Sequence, residues 1–129
     1  MKPDGSHAGI IAGPCITVMK SKFLGTLIPV TDEQDARAQL KVMKAADRKA
    51  RHIAFAFRIA GEPVVEGMSD DGEPRATAGL PILQLLRHHD LTGVLVTVTR
   101  YFGGIKLGPG NLRRAYANAA KAVIENANV

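Results

Sequence analysis

The sequence predicts an α+β fold: a two-layer sandwich in which helices cover one face of a mixed, mostly antiparallel sheet. Three observations support this class. Apolar and small residues alternate over residues 53–59, a β-branched run fills residues 94–99, and apolar positions recur at helical spacing in three other segments. A length of 129 residues suits one domain. We therefore expect a flexible N-terminus over residues 1–15 and a single domain over residues 16–129.

The first part of the domain predicts strands followed by a helix. Residues 15–30 are mostly apolar and β-favouring, and Lys20-Ser21-Lys22 interrupts them, which indicates one bent strand or two short strands. Thr31 and Gln34 have the spacing of a capping box, so the helix is expected to be capped at Thr31. The apolar face of this helix carries Ala36, Leu40, Met43 and Ala46. Its opposite face is basic, as solvated helix faces often are, and carries Arg37, Lys41, Lys44 and Arg48.

The middle of the chain predicts a hairpin and a second helix. Residues 53–59 alternate as a strand does, and Gly61-Glu62-Pro63 turns the chain into residues 64–68. Because this connection is short, the two segments are expected to pair antiparallel. A loop over residues 69–79 then leads to a helix with Pro81 in its first turn.

The last strand, expected over residues 91–99, leads into a glycine-rich loop and then into an alanine-rich helix. Four glycines within residues 103–110 allow positive φ angles, and the helix start presents unpaired N–H groups and the positive end of its dipole. With the flanking cations, this predicts a corner that receives a phosphate or carboxylate. The residues predicted to bind there are Arg100, Tyr101, Gly103, Gly104, Lys106, Gly108, Gly110, Asn111, Arg113 and Arg114. A strand-to-helix turn also needs glycines for structural reasons alone, and the Gly-Lys-Ser/Thr triplet of a P-loop does not occur.

The loop over residues 69–79 concentrates three carboxylates. Asp70, Asp71 and Glu73 supply the oxygen ligands that Mg²⁺ prefers, so a magnesium site is one interpretation. The other is a tight turn that faces the glycine-rich loop and is held by ion pairs. The candidate cations for such pairs are Arg75, Arg100 and Lys106. The binding residues predicted from this loop are Asp70, Asp71, Glu73 and Thr77. We assign no catalytic residue and expect no resident cofactor.

Composition limits the functional classes. The formal net charge of +5 favours polyanions as partners. The chain has four phenylalanines, two tyrosines and no tryptophan, so surfaces for stacking unpaired bases are few. The single cysteine, Cys15, excludes an internal disulfide and fits a reducing compartment. Because the sequence contains no long apolar segment and no hydrophobic signal core, we expect a cytoplasmic protein that does not engage a membrane.

Two long motifs, taken together and in their order along the chain, resemble those of a known family. They are Ser69-Asp70-Asp71-Gly72-Glu73-Pro74 with residues 77–83, and Arg100-Tyr101-Phe102-Gly103-Gly104 within residues 98–108. Together they are similar to the IMPACT family, whose bacterial members are the YigZ-like proteins. Residues 20–23 and 50–52 resemble earlier motifs of that family, so the resemblance extends over about residues 16–124. The chain is expected to correspond to the N-terminal IMPACT domain alone.

The resemblance implies a fold like that of ribosomal-protein and translocase domains that meet RNA, and a link to translation control. Eukaryotic relatives hinder activation of a stress kinase by competing for its activator protein, with help from an additional N-terminal domain. For the bacterial members the resemblance implies no defined biochemical activity.

Three functions are compatible with these residues. The favoured one is a non-enzymatic binding protein linked to translation control, which takes RNA, the ribosome or a translation-associated protein on its basic glycine-rich loop. The alternative is an enzyme or sensor for a phosphorylated small molecule or nucleotide, with Mg²⁺ held by the acidic loop. The third is a protein-interaction module in which the two loops are a structural lock, so that replacing Asp71 or Glu73 lowers stability more than binding.

Overall fold

The computed structural model describes residues 9–127, which form five strands and three helices. In chain order they are β1 (Ile11–Val18), β2 (Ser21–Pro29), α1 (Glu33–Ala46), β3 (His52–Ile59), β4 (Val65–Ser69), α2 (Gly79–His88), β5 (Val94–Tyr101) and α3 (Pro109–Asn126). The strands form one sheet in the order β1-β2-β5-β3-β4. The predicted α+β class is confirmed, and so is the antiparallel hairpin of β3 and β4.

The sheet is antiparallel at every junction between neighbouring strands, which confirms the mostly antiparallel sheet that the sequence predicted but not its mixed character. The reason is the position of β5, which lies between β2 and β3 and runs opposite to both. Since β2 and β3 share a direction but never pair with each other, the described sheet contains no parallel junction.

The helices cover both faces of the sheet, where the sequence predicted one covered face. On one face, α2 and α3 pack against Phe23, Ala54, Ala56 and Val96. On the other face, α1 packs through Ala36, Leu40 and Met43 against the large side chains of the strands, namely Ile28, Phe55, Phe57 and Leu95. The alternation of β3 explains the difference, because its alanines and its phenylalanines point to opposite faces and both sets are buried.

The N-terminal segment forms a hairpin with a two-residue turn, which decides between the bent strand and the two strands predicted for residues 15–30. Met19 and Lys20 occupy the turn with φ angles of 47° and 72°, as a type I′ turn requires. Strand β1 begins at Ile11 and therefore crosses the boundary that was predicted, between residues 15 and 16, to separate a flexible N-terminus from the domain. Residues 1–8 of the predicted flexible N-terminus, and residues 128–129, lie outside the described part of the chain.

Two helix caps lie at different residues from those predicted. The N-cap of α1 is Asp32 and not Thr31, because the Asp32 carboxylate accepts the Asp35 N–H at 2.8 Å. The final helix begins at Pro109 with Gly108 as its N-cap, before the predicted Gly110 or Asn111, since proline suits the first helical position. None of the helices found between residues 9 and 127 is both long and apolar enough to cross a membrane.

Candidate functional site

Three segments that are distant in sequence meet at one cleft with a volume of about 360 Å³. They are the start of β3, the acidic loop before α2, and the loop that joins β5 to α3. We call this the basic cleft and define it by its lining residues, Arg51, His52, Glu73, Pro74, Arg100, Phe102, Lys106, Leu107, Gly108, Pro109 and Leu112. It brings together parts of both long motifs and of the shorter motif at residues 50–52.

Sheet register explains why these segments meet. Arg100 on β5 lies opposite His52 on β3 and opposite Phe23 on β2. The three residues therefore form one row across the end of the sheet, at the point where the glycine-rich loop leaves β5.

The floor of the cleft is a buried ion pair. Arg100 Nη1 donates to both carboxylate oxygens of Glu73, at 2.9 and 2.8 Å, and the two side chains are only 6% and 3% exposed. The Tyr116 hydroxyl donates to the same carboxylate. Burial raises the pKa of Tyr116 far above its ordinary value, and the hydrogen bond to Glu73 reinforces the effect. Arg100 was predicted to bind an anion, but the structure neutralises its charge inside the protein.

The other end of the Arg100 guanidinium is held by Ser21. Its Nε and Nη2 donate to Ser21 Oγ at 3.4 and 3.3 Å, and the Gly103 N–H donates to the same oxygen at 3.1 Å. Ser21 is fully buried and thus ties the β1–β2 turn to both the floor and the glycine-rich loop.

Asp70 and Thr77 stabilise the start of α2. Asp70 Oδ1 accepts the N–H groups of Ala78 and Gly79 at 3.1 and 2.8 Å, and its Oδ2 accepts the Ala76 N–H at 2.9 Å. Asp70 thereby caps the helix from a distance, because the N-cap residue, Ala78, has no side chain that could do so. The Thr77 hydroxyl donates to the Pro74 carbonyl at 2.5 Å.

Asp71 fastens the acidic loop to the sheet and to α1. Its carboxylate accepts the Ile53 N–H at 2.7 Å and the Lys44 ammonium at 2.8 Å, and its carbonyl accepts His52 Nδ1 at 2.6 Å. Desolvation raises the pKa of Asp71, but these donors to the carboxylate outweigh it and hold the pKa below its ordinary value. The carboxylates of Asp70, Asp71 and Glu73 thus face different partners, and residues 9–127 contain no group of three or more His, Cys, Asp or Glu side chains placed to hold a metal.

Two exposed cations lie on the rim of the cleft. Arg51 and Lys106 are exposed, and neither forms an ion pair with another residue of the described chain. Arg113 and Arg114 are exposed on the first turns of α3 outside the lining of the cleft, and Arg114 donates to the Asn111 side chain at 2.6 Å.

The predicted glycines have separate roles. Gly108 lines the cleft as the N-cap of α3, and Gly110 lies in the first turn of that helix together with Asn111. Gly104 has a φ angle of 89° with open space around it. Gly103 instead lies directly against the backbone of the β1–β2 turn. Only Gly108 of this set faces the cleft.

Tyr101 is not brought to the cleft. Its side chain lies on the α1 side of the sheet, where its hydroxyl donates to Asp47. This hydrogen bond is the main reason that the pKa of Tyr101 rises to about 12 and that the pKa of Asp47 falls below its ordinary value. Tyr101 therefore fastens the segment after α1.

Sequence reasoning left out three lining residues that bear on binding. Arg51, His52 and Phe102 were not among the predicted site residues, although each belongs to a segment that the family resemblance had marked. Phe102 is 42% exposed, and the Arg51 guanidinium lies over its ring with Cζ 5.0 Å from the centroid. The resemblance of residues 50–52 to a family motif was the signal by which Arg51 and His52 could have been included in the predicted site.

Comparison with known proteins identifies the family. The family model described as the Impact N-terminal domain matches residues 19–124. IMPACT family member YvyE of Bacillus subtilis is 41% identical over 113 residues, which are 88% of this chain and 51% of that protein. The chain therefore spans about half the length of this relative.

Two solved structures agree with that match. A crystal structure of a hypothetical protein superposes with a TM-score of 0.84 at 32% identity, covering 93% of this chain and 59% of that one. The structure of the two-domain translational regulator Yih1 superposes with a TM-score of 0.62 at 33% identity, covering 97% of this chain and 48% of that one. The chain belongs to the IMPACT family, in the part that the family's N-terminal domain occupies.

Proposed function

We propose that this chain is a non-enzymatic binding protein linked to translation control, and that it binds RNA in the basic cleft. The link to translation rests on family membership and on the likeness to Yih1, which is described as a translational regulator. The observation that carries RNA binding is the pair of exposed cations, Arg51 and Lys106, on the rim of a cleft whose buried charges already neutralise each other.

The charge balance around the cleft favours an anion. Glu73 is paired with Arg100, and Asp71 is paired with Lys44, so neither carboxylate is available to neutralise the rim. Helix α3 begins at the cleft wall and has no acidic residue in its first turn, so the positive end of its dipole adds to the field of Lys106. A phosphate on the rim would be attracted by both the dipole of α3 and the Lys106 ammonium, and it would not displace an existing ion pair.

The same contacts favour binding over catalysis. Both oxygens of Glu73 accept from Arg100, and the Tyr116 hydroxyl donates to that carboxylate as well. A general base must reach the proton that it takes from the substrate, whereas this carboxylate is buried and held in place by Arg100 and Tyr116. The proposal accordingly includes no resident cofactor. It includes a cytoplasmic location, which the single cysteine fits.

The proposal is tested by fluorescence anisotropy of a labelled single-stranded RNA at two salt concentrations, with Lys106→Ala and Lys41→Ala alongside. Lys41 is an exposed lysine on α1, on the opposite side of the sheet, and is the matched control. We expect binding to weaken with salt, and Lys106→Ala to weaken it further and to lower the slope of log K against log salt by about 0.7. Lys41→Ala should behave like the unaltered protein.

Absence of salt-dependent binding, or equal effects of the two lysine variants, would contradict RNA binding in the cleft. Stabilisation against heat by a nucleotide or sugar phosphate only in the presence of Mg²⁺ would instead support the alternative, a phosphate-ligand enzyme or sensor.

A further inference from the structure

Aromatic rings and guanidinium groups alternate from the core to the mouth of the basic cleft. Arg100 Cζ lies 5.6 Å from the centroid of the Phe23 ring and 5.4 Å from that of Phe102. Arg51 Cζ lies 5.0 Å from the Phe102 centroid. We call the set Phe23, Arg100, Phe102 and Arg51 the stacking column. Its inner end is in the core, where Phe23 is fully buried, and its outer end is exposed.

The inner part of the column is fixed in place. Arg100 is held at both ends of its guanidinium by Glu73 and Ser21, so it cannot rotate away from Phe102. Phe23 packs edge-to-face on Tyr116 with ring centroids 5.2 Å apart. Phe102 therefore packs on a guanidinium that is already fixed in place. Its side chain should lose less conformational entropy when a ligand binds.

The outer part of the column is available. The Phe102 side chain is 42% exposed although it is aromatic, and within residues 9–127 Arg51 has no carboxylate partner. An exposed aromatic ring beside an unpaired, planar guanidinium is the surface on which unpaired bases stack. The composition predicted few such surfaces, and the fold places one of them in the cleft beside Lys106.

We propose that the outer end of the stacking column receives an unpaired nucleobase, so that the basic cleft takes single-stranded RNA and not a duplex. This inference rests on the proposed function and narrows its ligand. In a duplex each base is already stacked on both sides, so its face cannot reach the outer end of the column, where Arg51 lies over Phe102. A volume of about 360 Å³ is at the lower end of the usual range for small-ligand sites, which suits one nucleotide unit with its phosphate near Lys106.

The test compares two oligomers of equal length, one of ordinary single-stranded RNA and one with the bases removed. We expect the protein to bind the base-containing oligomer about 5- to 160-fold more tightly, the range that stacking of a base on an aromatic residue gives. A 2-aminopurine in the RNA should change its fluorescence on binding, a signal that the chain does not obscure because it has no tryptophan.

Three variants assign the preference to the column. Phe102→Leu removes the ring and should lower the affinity for the base-containing oligomer towards that for the abasic one. Arg51→Lys keeps the positive charge but removes the planar guanidinium. This variant should lose part of the preference for the base-containing oligomer and part of the 2-aminopurine signal. Ile105→Ala is the control, since Ile105 is an exposed apolar residue of the same loop that does not line the cleft.

The outcomes separate this inference from the proposed function. Equal affinity for the two oligomers, or a preference that survives Phe102→Leu and Arg51→Lys, would overturn the stacking proposal while leaving RNA binding intact. Absence of binding to both oligomers would overturn the proposed function together with it.

Discussion

Replacing Glu73 with alanine is expected to lower the free energy of unfolding by about 3–5 kcal/mol, the usual cost of removing one partner of a buried ion pair. The variant would leave the Arg100 charge buried without its carboxylate, and the Tyr116 hydroxyl would lose its acceptor. Since domains of this kind are stable by about 5–15 kcal/mol, the loss should be large but measurable by urea denaturation.

Glu33→Ala is the matched control for this prediction. Glu33 also pairs with an arginine, Arg37, but the two side chains are 49% and 57% exposed. An exposed pair contributes about 0–1 kcal/mol, so this variant should unfold near the concentration of urea that unfolds the original protein. Similar midpoints for the Glu73 and Glu33 variants would show that the floor of the basic cleft does not hold the domain together.

Gly103→Ala is expected to cost about 3 kcal/mol, the upper end of the range for overpacking. A Cβ at this position would lie 2.1 Å from the Lys20 carbonyl oxygen and 2.2 Å from its carbon. Both atoms belong to the backbone of the β1–β2 turn, so a side-chain rotation cannot relieve the clash. The turn must separate from the loop, and the hydrogen bond from the Gly103 N–H to Ser21 is lost with it. Thermal unfolding and the amide chemical shifts of residues 20–21 measure the two consequences.

Gly104→Ala distinguishes this close approach from ordinary glycine strain. A Cβ on Gly104 would meet no atom within 4 Å, so its cost is only that of placing alanine at a φ angle of 89°, about 1–2 kcal/mol. It should leave the amide shifts of Lys20 and Ser21 unchanged. If Gly103→Ala were no more destabilising than Gly104→Ala, and left those shifts in place, the contact between loop and turn would be refuted.

The sequence determined the class of the fold because its patterns are local. The alternation of β3 and the β-branched run of β5 are each legible within one segment. The side of the sheet that α1 covers is not local information. Amphipathicity shows that α1 has an apolar face. It does not show which face of the sheet that helix covers, because both faces of β3 carry apolar side chains.

The candidate site, like the fold, could be predicted from the sequence only in part. The sequence indicated that the acidic and glycine-rich loops could face each other, and Glu73 indeed meets Arg100. It did not indicate that this contact would be buried, or that Arg51 would lie on Phe102, because these depend on the register of β3 against β5. Spacing along the chain carries no signal for such a pairing. Asp70 and Asp71 likewise looked like possible ligands, since turn chemistry and metal chemistry favour the same residues.

The measurement that most directly tests RNA binding in the basic cleft is a titration of the ¹⁵N-labelled protein with single-stranded RNA, followed by its amide chemical shifts. We expect the largest changes at Arg51, His52, Phe102 and Lys106, and small changes on the exposed basic face of α1. Changes concentrated on α1, or an unchanged spectrum at saturating RNA, would contradict the assignment of this cleft as the binding site.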